Sequence, residues 1–472
     1  MLKIHLEGHD NYYGIADVVR AFYIHPVEDK ENGLVYCESA PDAELISSVM
    51  DDGSTSARSV DSSINIVLPP VTAPVMQGRE VKRSVYLAVS EIASRSVPWG
   101  CLTGIRPTLV AGEENSAPAL SQKYFVRPDK AELALTTFKN EQRILDLLPP
   151  EDINIYVGIP FCPSRCEYCS FVSSDISHHL GKFKSYLDAL GNELKAVGPS
   201  LNRRISTVYL GGGTPTVGDD GDFARLMDLI CDNLKIDDRT EFTVEAGRAD
   251  TITPAKLKAM KEHGVDRVCI NPQTMNSETL AKLNRRHTAE DTVRVFELAR
   301  EIGFDVINMD LIAGLKYETS KDFAESIRRI ISLEPENITI HTLYKKRRAA
   351  ISASDVLGGE GDDVDRAVSE GYTLLGESGY IPYYLYRQKD TGHGLENTGF
   401  AKEGTECLYN VAMMTDARDV LSFGAGGMSK RVYGQEGSKF RVERCPCIKD
   451  VIGYINSWQD MAKRKRDFFD II

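Results

Sequence analysis

From residue 151 onward, short runs rich in Ile, Val and Phe alternate with stretches whose apolar residues recur every three or four positions. The runs Ile153 to Ile159, Ile205 to Gly211, Glu241 to Ala246, Asp266 to Asn271, Asp305 to Ile312 and Asn337 to Leu343 predict strands. Between them, Phe183 to Val197, Phe223 to Leu234, Pro254 to His263, Ala289 to Ile302 and Ser320 to Ser332 predict helices. Strand then helix, repeated, means a parallel sheet. Six such units predict an α/β fold, a partial (β/α)6 barrel, and barrels of this type carry their chemistry at the C-terminal ends of the strands.

The flanks read differently. Residues 1–150 mix polar turns with a helical stretch near Val81 to Ser94 and form an N-terminal accessory domain, closed by a linker of Pro149, Pro150, Glu151 and Asp152. The barrel is expected over 151–350. Ala349 to Asp365, rich in Gly, Asp and Ser, reads as a loop leading into a smaller C-terminal domain over 351–472 that covers the substrate.

The chain has 472 residues, with 56 Lys and Arg against 69 Asp and Glu, a net charge of −13. That balance argues against a nucleic-acid backbone as partner, since phosphate binding needs a basic face. The N-terminus lacks an apolar leader and nowhere do eighteen apolar residues run together, so the expectation is a cytoplasmic protein without a membrane partner.

Ten cysteines are too sparse for a disulfide scaffold, but Cys162, Cys166 and Cys169 cluster as CxxxCxxC directly after the first predicted barrel strand. Three thiolates can hold three irons of a 4Fe–4S cluster and leave the fourth open for a ligand. Zinc is the competing metal, but it usually takes paired CxxC elements or supporting histidines, and no second pair follows at such a spacing. Gly211-Gly212-Gly213-Thr214-Pro215 follows the second strand, where glycines permit close backbone approach to a ligand. Glu245 ends the third strand, Gln273 lies just past the fourth and Asp310 sits near the end of the fifth, all at the ligand-binding end.

Tyr156-Val-Gly-Ile-Pro-Phe-Cys162 with its CxxxCxxC, and the GGGTP turn behind it, resemble the radical S-adenosylmethionine (SAM) enzymes, and among them oxygen-independent coproporphyrinogen III oxidase. The resemblance runs from Pro98 in PWG-x-LTGIRPT, through YLYRQK and ENTGF-x(5)-ECLYN, to GAGGMSK ending at Lys430, and is similar in extent to the HemZ branch, the coproporphyrinogen dehydrogenases. It implies a 4Fe–4S cluster on Cys162, Cys166 and Cys169, with Gly212, Gly213 and Thr214 against the methionyl amino group of SAM. It implies Glu245, Gln273 and Asp310 near the ribose and methionine, Arg285 on the carboxylate, and Tyr156 close to the sulfonium. A guanidinium suits a carboxylate because its fork bonds bidentately. Arg286 is a neighbouring candidate, and for Tyr156 the plain alternative is a core tyrosine.

After the sixth strand, Lys345, Lys346, Arg347 and Arg348 place four consecutive cations at the catalytic face, where a substrate with several carboxylates would be steered. Their bland reading is a solvated face; Arg387 follows the same logic. Cys407, Cys445 and Cys447 read either as ligands of a second cluster or as structural thiols. The familiar oxidases continue their triad as CxxxCxxCxC, whereas Ser170 and Phe171 follow here.

The resemblance implies oxidative decarboxylation of two propionates of coproporphyrinogen III to vinyl groups, yielding protoporphyrinogen IX in anaerobic haem biosynthesis, with electrons from a flavodoxin or ferredoxin. A radical SAM haem-degrading methyltransferase and a non-catalytic haem chaperone are the alternatives, because one barrel hosts all three.

Overall fold

The computed structural model describes residues 1–23, 25–104, 106–169, 174–176, 180–343, 361–388, 394–436 and 439–471. They divide into two compact units, residues 1–138 with 385–397, and residues 139–384 with 398–472. The boundaries expected at 150/151 and 350/351 differ from this division, and most of the last 120 residues group with the barrel strands.

In the first unit, β1 (Leu2–Glu7), α1 (Tyr12–Phe22), β2 (Val27–Asp29), β3 (Leu34–Cys37), β4 (Ala43–Val49), β5 (Thr55–Ser59) and β6 (Asn65–Leu68) build a six-stranded sheet in the order β2-β3-β1-β4-β5-β6. Only β1 and β4 run parallel. α1 starts at Asn11, whose side chain accepts from Gly14 N, and buries Ile15, Val18, Val19 and Phe22. α2 (Pro74–Ala93) opens on proline and buries Val81, Val85 and Val89, four residues apart on one stripe. α3 (Pro107–Glu114), α4 (Ala117–Tyr124) and α5 (Pro128–Leu145) follow. The distant segments PWG, YR and EN meet here: Trp99 Nε1 donates to Glu396 Oε2 at 2.7 Å, Lys130 Nζ to Glu396 Oε1 at 2.5 Å, and the Arg387 guanidinium lies 5.5 Å from the Trp99 ring centre. Burial pushes the Glu396 carboxyl up, but Lys130 and Trp99 override it and hold the group charged.

The second unit contains the βα array. β7 (Ile153–Ile159), β8 (Phe161–Cys162), β9 (Ser174–Asp175), α6 (Leu180–Val197), β10 (Ile205–Gly212), α7 (Asp220–Asn233), β11 (Glu241–Gly247), α8 (Pro254–Glu262), β12 (Arg267–Ile270), α9 (Ser277–Lys282), α10 (Ala289–Ile302), β13 (Val306–Ala313), α11 (Ser320–Ser332) and β14 (Asn337–Thr342) realise the six predicted strands and five predicted helices and add the short β8, β9 and α9. Each strand pairs in parallel with the next, in the order β7-β10-β11-β12-β13-β14, the arrangement of a partial (β/α)6 barrel. Ile153, Ile155, Val157 and Ile159 of β7 alternate onto one face and are all fully buried, while Asn154, Tyr156 and Gly158 take the other. Helix ends are stopped locally; Thr288 and Thr319 form capping boxes with Asp291 and Asp322 at the starts of α10 and α11.

The C-terminal part completes the sheet. α12 (Gly361–Glu377), β15 (Ile381–Arg387), β16 (Glu396–Ala401), α13 (Leu408–Thr415), β17 (Val420–Phe423), β18 (Met428–Glu436), β19 (Lys439–Pro446) and α14 (Val451–Phe469) follow, giving eleven strands in all: β15-β16-β14-β13-β12-β11-β10-β7-β17-β18-β19. β17 adds a seventh parallel strand beside β7, with Ser422 opposite Tyr156. A buried ionic knot ties it down. Glu193 of α6 accepts from Gly424 N at 3.0 Å, from the Tyr454 hydroxyl at 2.6 Å and from Lys465, while the Tyr186 hydroxyl donates to Gly158 O at 2.6 Å. The last helix is thereby linked to the strand that leads into the cysteines.

Candidate functional site

The strand tips bring the predicted residues together. Cys162 ends β8, three residues past the end of β7, and the loop to Cys169 turns back on itself through Cys169 N to Cys166 O at 3.1 Å. The glycine turn lies against it: Gly213 N donates to Ile159 O at 2.8 Å and Thr214 N to Phe161 O at 2.7 Å. Gly212 has φ +115°, open to glycine only at a cost for other residues. A Cβ on Gly213 would stand 2.9 Å from Cys162 Sγ, so the turn is a cradle against the first thiol. Thr214 Oγ1 donates toward the same sulfur at 3.6 Å.

Glu245 Oε2 accepts from Gly212 N at 3.3 Å, and its Oε1 accepts from the Tyr209 hydroxyl at 2.5 Å. Burial pushes its carboxyl up to about 7, helped by the Asp310 charge and opposed by those two hydrogen bonds. Tyr156 stands opposite Tyr209 across the β7–β10 pair, and both stack with Tyr409 of α13; the Tyr209–Tyr409 ring centres are 4.5 Å apart. Burial, with the Glu245 charge, raises the Tyr156 phenol above its ordinary value.

Gln273 has φ +72°, and its backbone pairs with β13 through Gln273 N to Asp310 O and Ile312 N to Gln273 O, both 2.9 Å. Asp310 accepts from Asn308 Nδ2 at 2.8 Å and lies 3.7 Å from His341 Nε2. Arg285 is buried, donating to the Tyr168 hydroxyl at 2.8 Å and to Asn271 O at 2.6 Å. Its Nε, Gln273 Oε1 and His287 Nε2 are buried without a hydrogen-bond partner. Orphaned polar atoms of this kind carry a cost that a bound polar ligand removes.

The chemistry of the donor set fits a cluster with an adjacent polar ligand. Among the described residues, no three His, Cys, Asp or Glu side chains are gathered for a single ion. A 4Fe–4S cluster takes its thiolates at separate corners, and Cys162, Cys166 and Cys169 on one loop can supply three.

Sequence reasoning missed Arg248. It follows a register slip in the β11–β12 pairing after Glu245, and Gly247 at φ +68° turns the chain back. Its guanidinium reaches Ser164 Oγ at 2.9 Å and Cys166 Sγ at 3.7 Å. Also missed were Tyr409 and Lys256, whose buried ammonium donates to Thr216 O, Gly218 O and Thr251 O at 2.7–3.0 Å and fixes the segment after GGGTP. The signal available for Arg248 was its place three residues after Glu245 at a strand end. For Lys256 there was none, since its partners are all backbone carbonyls.

Other candidates lie elsewhere. Lys345, Lys346, Arg347 and Arg348 fall outside the described residues, as do Ser170 and Phe171. Arg387 belongs to the first unit, where it donates to Leu102 O and Gly394 O; burial lowers its guanidinium to about 10. Cys407 lies against Glu241 and Thr243, at the start of β11 rather than its catalytic end, whereas Cys445 neighbours Arg464.

Residues 156–330 match the radical SAM superfamily. The chain is 37% identical over 361 residues to the oxygen-independent coproporphyrinogen-III oxidase-like protein HemZ of Bacillus subtilis, a match spanning 72% of this chain and 71% of that protein. The chain belongs to this family of radical SAM proteins. Its cofactors are those of the superfamily, a 4Fe–4S cluster and SAM. The family also reaches the heme chaperone HemW of B. subtilis, 32% identical over 57% of this chain and 69% of that protein. Coproporphyrinogen III oxidase HemN of Escherichia coli has the same fold, with a TM-score of 0.53 and 22% identity over 68% of this chain and 72% of that one. No described helix is long and apolar enough to cross a membrane.

Proposed function

We propose that this protein removes a hydrogen atom from the β-carbon of each of two propionates of coproporphyrinogen III, and that loss of carbon dioxide, with transfer of one electron to an external one-electron acceptor, leaves a vinyl group each time. The reading is carried by the 37% identity to HemZ, which extends over more of the chain than the match to the chaperone HemW. When bound, the cluster and SAM supply one-electron cleavage chemistry that yields a carbon radical able to take such a hydrogen.

The chain's own residues bind and orient. In this reading Cys162, Cys166 and Cys169 hold the cluster, and the backbone of Gly212, Gly213 and Thr214 receives the methionyl amino group. Glu245, Gln273 and Asp310 face the ribose and methionine, and Arg285 takes the carboxylate through its unpartnered Nε. Tyr156, backed by Tyr209 and Tyr409, would lie close to the sulfonium and help exclude water. A flavodoxin or ferredoxin would deliver the electron, and residues 351–472 would help cover the tetrapyrrole.

The test is anaerobic reconstitution with iron and sulfide, then incubation with reductant, SAM and coproporphyrinogen III. Both 5′-deoxyadenosine and protoporphyrinogen are expected by mass spectrometry, and Cys162→Ala, Cys166→Ala or Cys169→Ala should abolish both. Deoxyadenosine without decarboxylated product would overturn the substrate. Haem binding without deoxyadenosine would favour the chaperone reading.

A further inference from the structure

Arg248 is buried, and every nitrogen of its guanidinium is committed. Nε and Nη2 donate to the two carboxylate oxygens of Asp250 at 2.9 and 2.8 Å, a bidentate pair. Nη1 faces the cysteine loop, donating to Ser164 Oγ at 2.9 Å, to Ser164 O at 3.3 Å and to Cys166 Sγ at 3.7 Å. The backbone beneath is pinned by Arg248 N to Ala246 O at 2.8 Å and by Thr251 Oγ1 to Arg248 O at 2.9 Å. Asp250 is steadied in turn by His287 Nδ1 at 3.3 Å, two residues from Arg285. Ser164, the third partner, donates to Asn284 O at 3.0 Å, and Asn284 Nδ2 returns to Arg165 O at 3.0 Å. The cysteine loop is therefore gripped by two segments, 248–250 and 284–287, that are joined through one carboxylate.

We propose that Arg248 sets the redox poise of the cluster by donating to the sulfur of Cys166, with Asp250 fixing its direction. This rests on the reading that Cys166 is a cluster ligand. A donor aimed at a ligating thiolate stabilises the extra negative charge of the reduced cluster, and hydrogen bonds to sulfur and net charge are principal determinants of such potentials. Burial strengthens the effect, because the charge is poorly screened by water. Replacing Arg248 by Gln removes the cation and, the side chain being shorter, withdraws the donor from Cys166 Sγ, leaving the Asp250 carboxylate with His287 alone, and both changes disfavour the reduced state. The double change Arg248→Gln/Asp250→Asn removes the pair together, so only the lost sulfur donor remains.

The test uses the full chain, reconstituted anaerobically without SAM, with iron content and a redox titration followed by electron paramagnetic resonance. In Arg248→Gln the ratio of reduced to oxidised cluster at a fixed applied potential should fall about tenfold, ~59 mV for one electron. In the double variant it should fall less, yet stay below wild type. If the single variant takes up too little iron to titrate, the double variant carries the test. A loaded variant that titrates with the wild-type chain overturns the proposal. A wild-type chain that takes up no cluster overturns this proposal and the cluster assignment alike, which separates the two failures.

Discussion

Gly213→Ala is the sharpest probe of the cradle between the glycine turn and the cysteine loop. The backbone conformation there is open to any L-residue, so the obstacle is space alone. The added Cβ would stand 2.4 Å from Phe161 O and 2.9 Å from Cys162 Sγ, where 3.0 Å is the floor for real contacts. Phe161 O must therefore retreat by about 0.6 Å, the difference between 3.0 and 2.4 Å. That oxygen accepts from Thr214 N at 2.7 Å, so the retreat pulls the turn and the cysteine strand apart. Overpacking of this kind costs about 1–3 kcal/mol, too little to unfold a chain of this size but enough to move a ligand. The expected outcome is a folded protein by circular dichroism that retains less than half the wild-type cluster iron and loses the spectral response to SAM. Gly181→Ala is the matched control: it lies in α6 with no heavy atom within 4 Å of the new Cβ, and should gain up to ~1 kcal/mol in stability with full iron. Gly213→Ala with wild-type iron and SAM response would refute the close approach of the two segments.

Two further predictions concern stability. Lys465→Met strips the cation from buried Glu193, leaving Gly424 N and the Tyr454 hydroxyl as its donors, and should cost about 3–5 kcal/mol by urea unfolding; an unchanged midpoint would refute the knot. Glu245 keeps its proton to about pH 7 in the folded chain against an ordinary value of 4.5, so the folded state binds more protons between the two and loses stability as pH rises through that window, by no more than about 3 kcal/mol. Glu245→Gln should flatten that loss, measured as the difference in urea midpoints between pH 5 and pH 8; a slope identical to wild type would sink the assignment.

The βα array was legible because its determinants are local. Apolar runs of strand length and helical periodicity act over a few residues, and they place the six strands and the cysteine loop in order along the chain. The grouping of residues at the strand ends was legible for a related reason: in a parallel barrel each strand end faces the same rim, so Cys162, Gly212, Glu245, Gln273 and Asp310 could be placed on one rim from strand position alone. The pairing of β17 was not, because the apolar pattern of 420–423 does not say which edge of the sheet it joins. That choice was made by Ser422 meeting Tyr156 across the strand pair and by Glu193, Tyr454 and Lys465 converging from three distant segments.

Arg387 shows the same limit from the other side. Its sequence neighbourhood suggested a substrate cation, and only the folded chain reveals a buried guanidinium committed to Leu102 O and the Trp99 ring. Arg248 is its converse, an arginine unremarkable in sequence that a slip in register and a left-handed glycine turn toward Cys166. Sequence by itself determined the order of elements, the rim on which the candidate residues gather and the thiols available to a cluster, since these depend on local pattern and spacing. Which charged groups reach that rim, and which are spent holding the fold, was decided only by tertiary structure, because a long side chain's role depends on partners brought to it from scores of residues away.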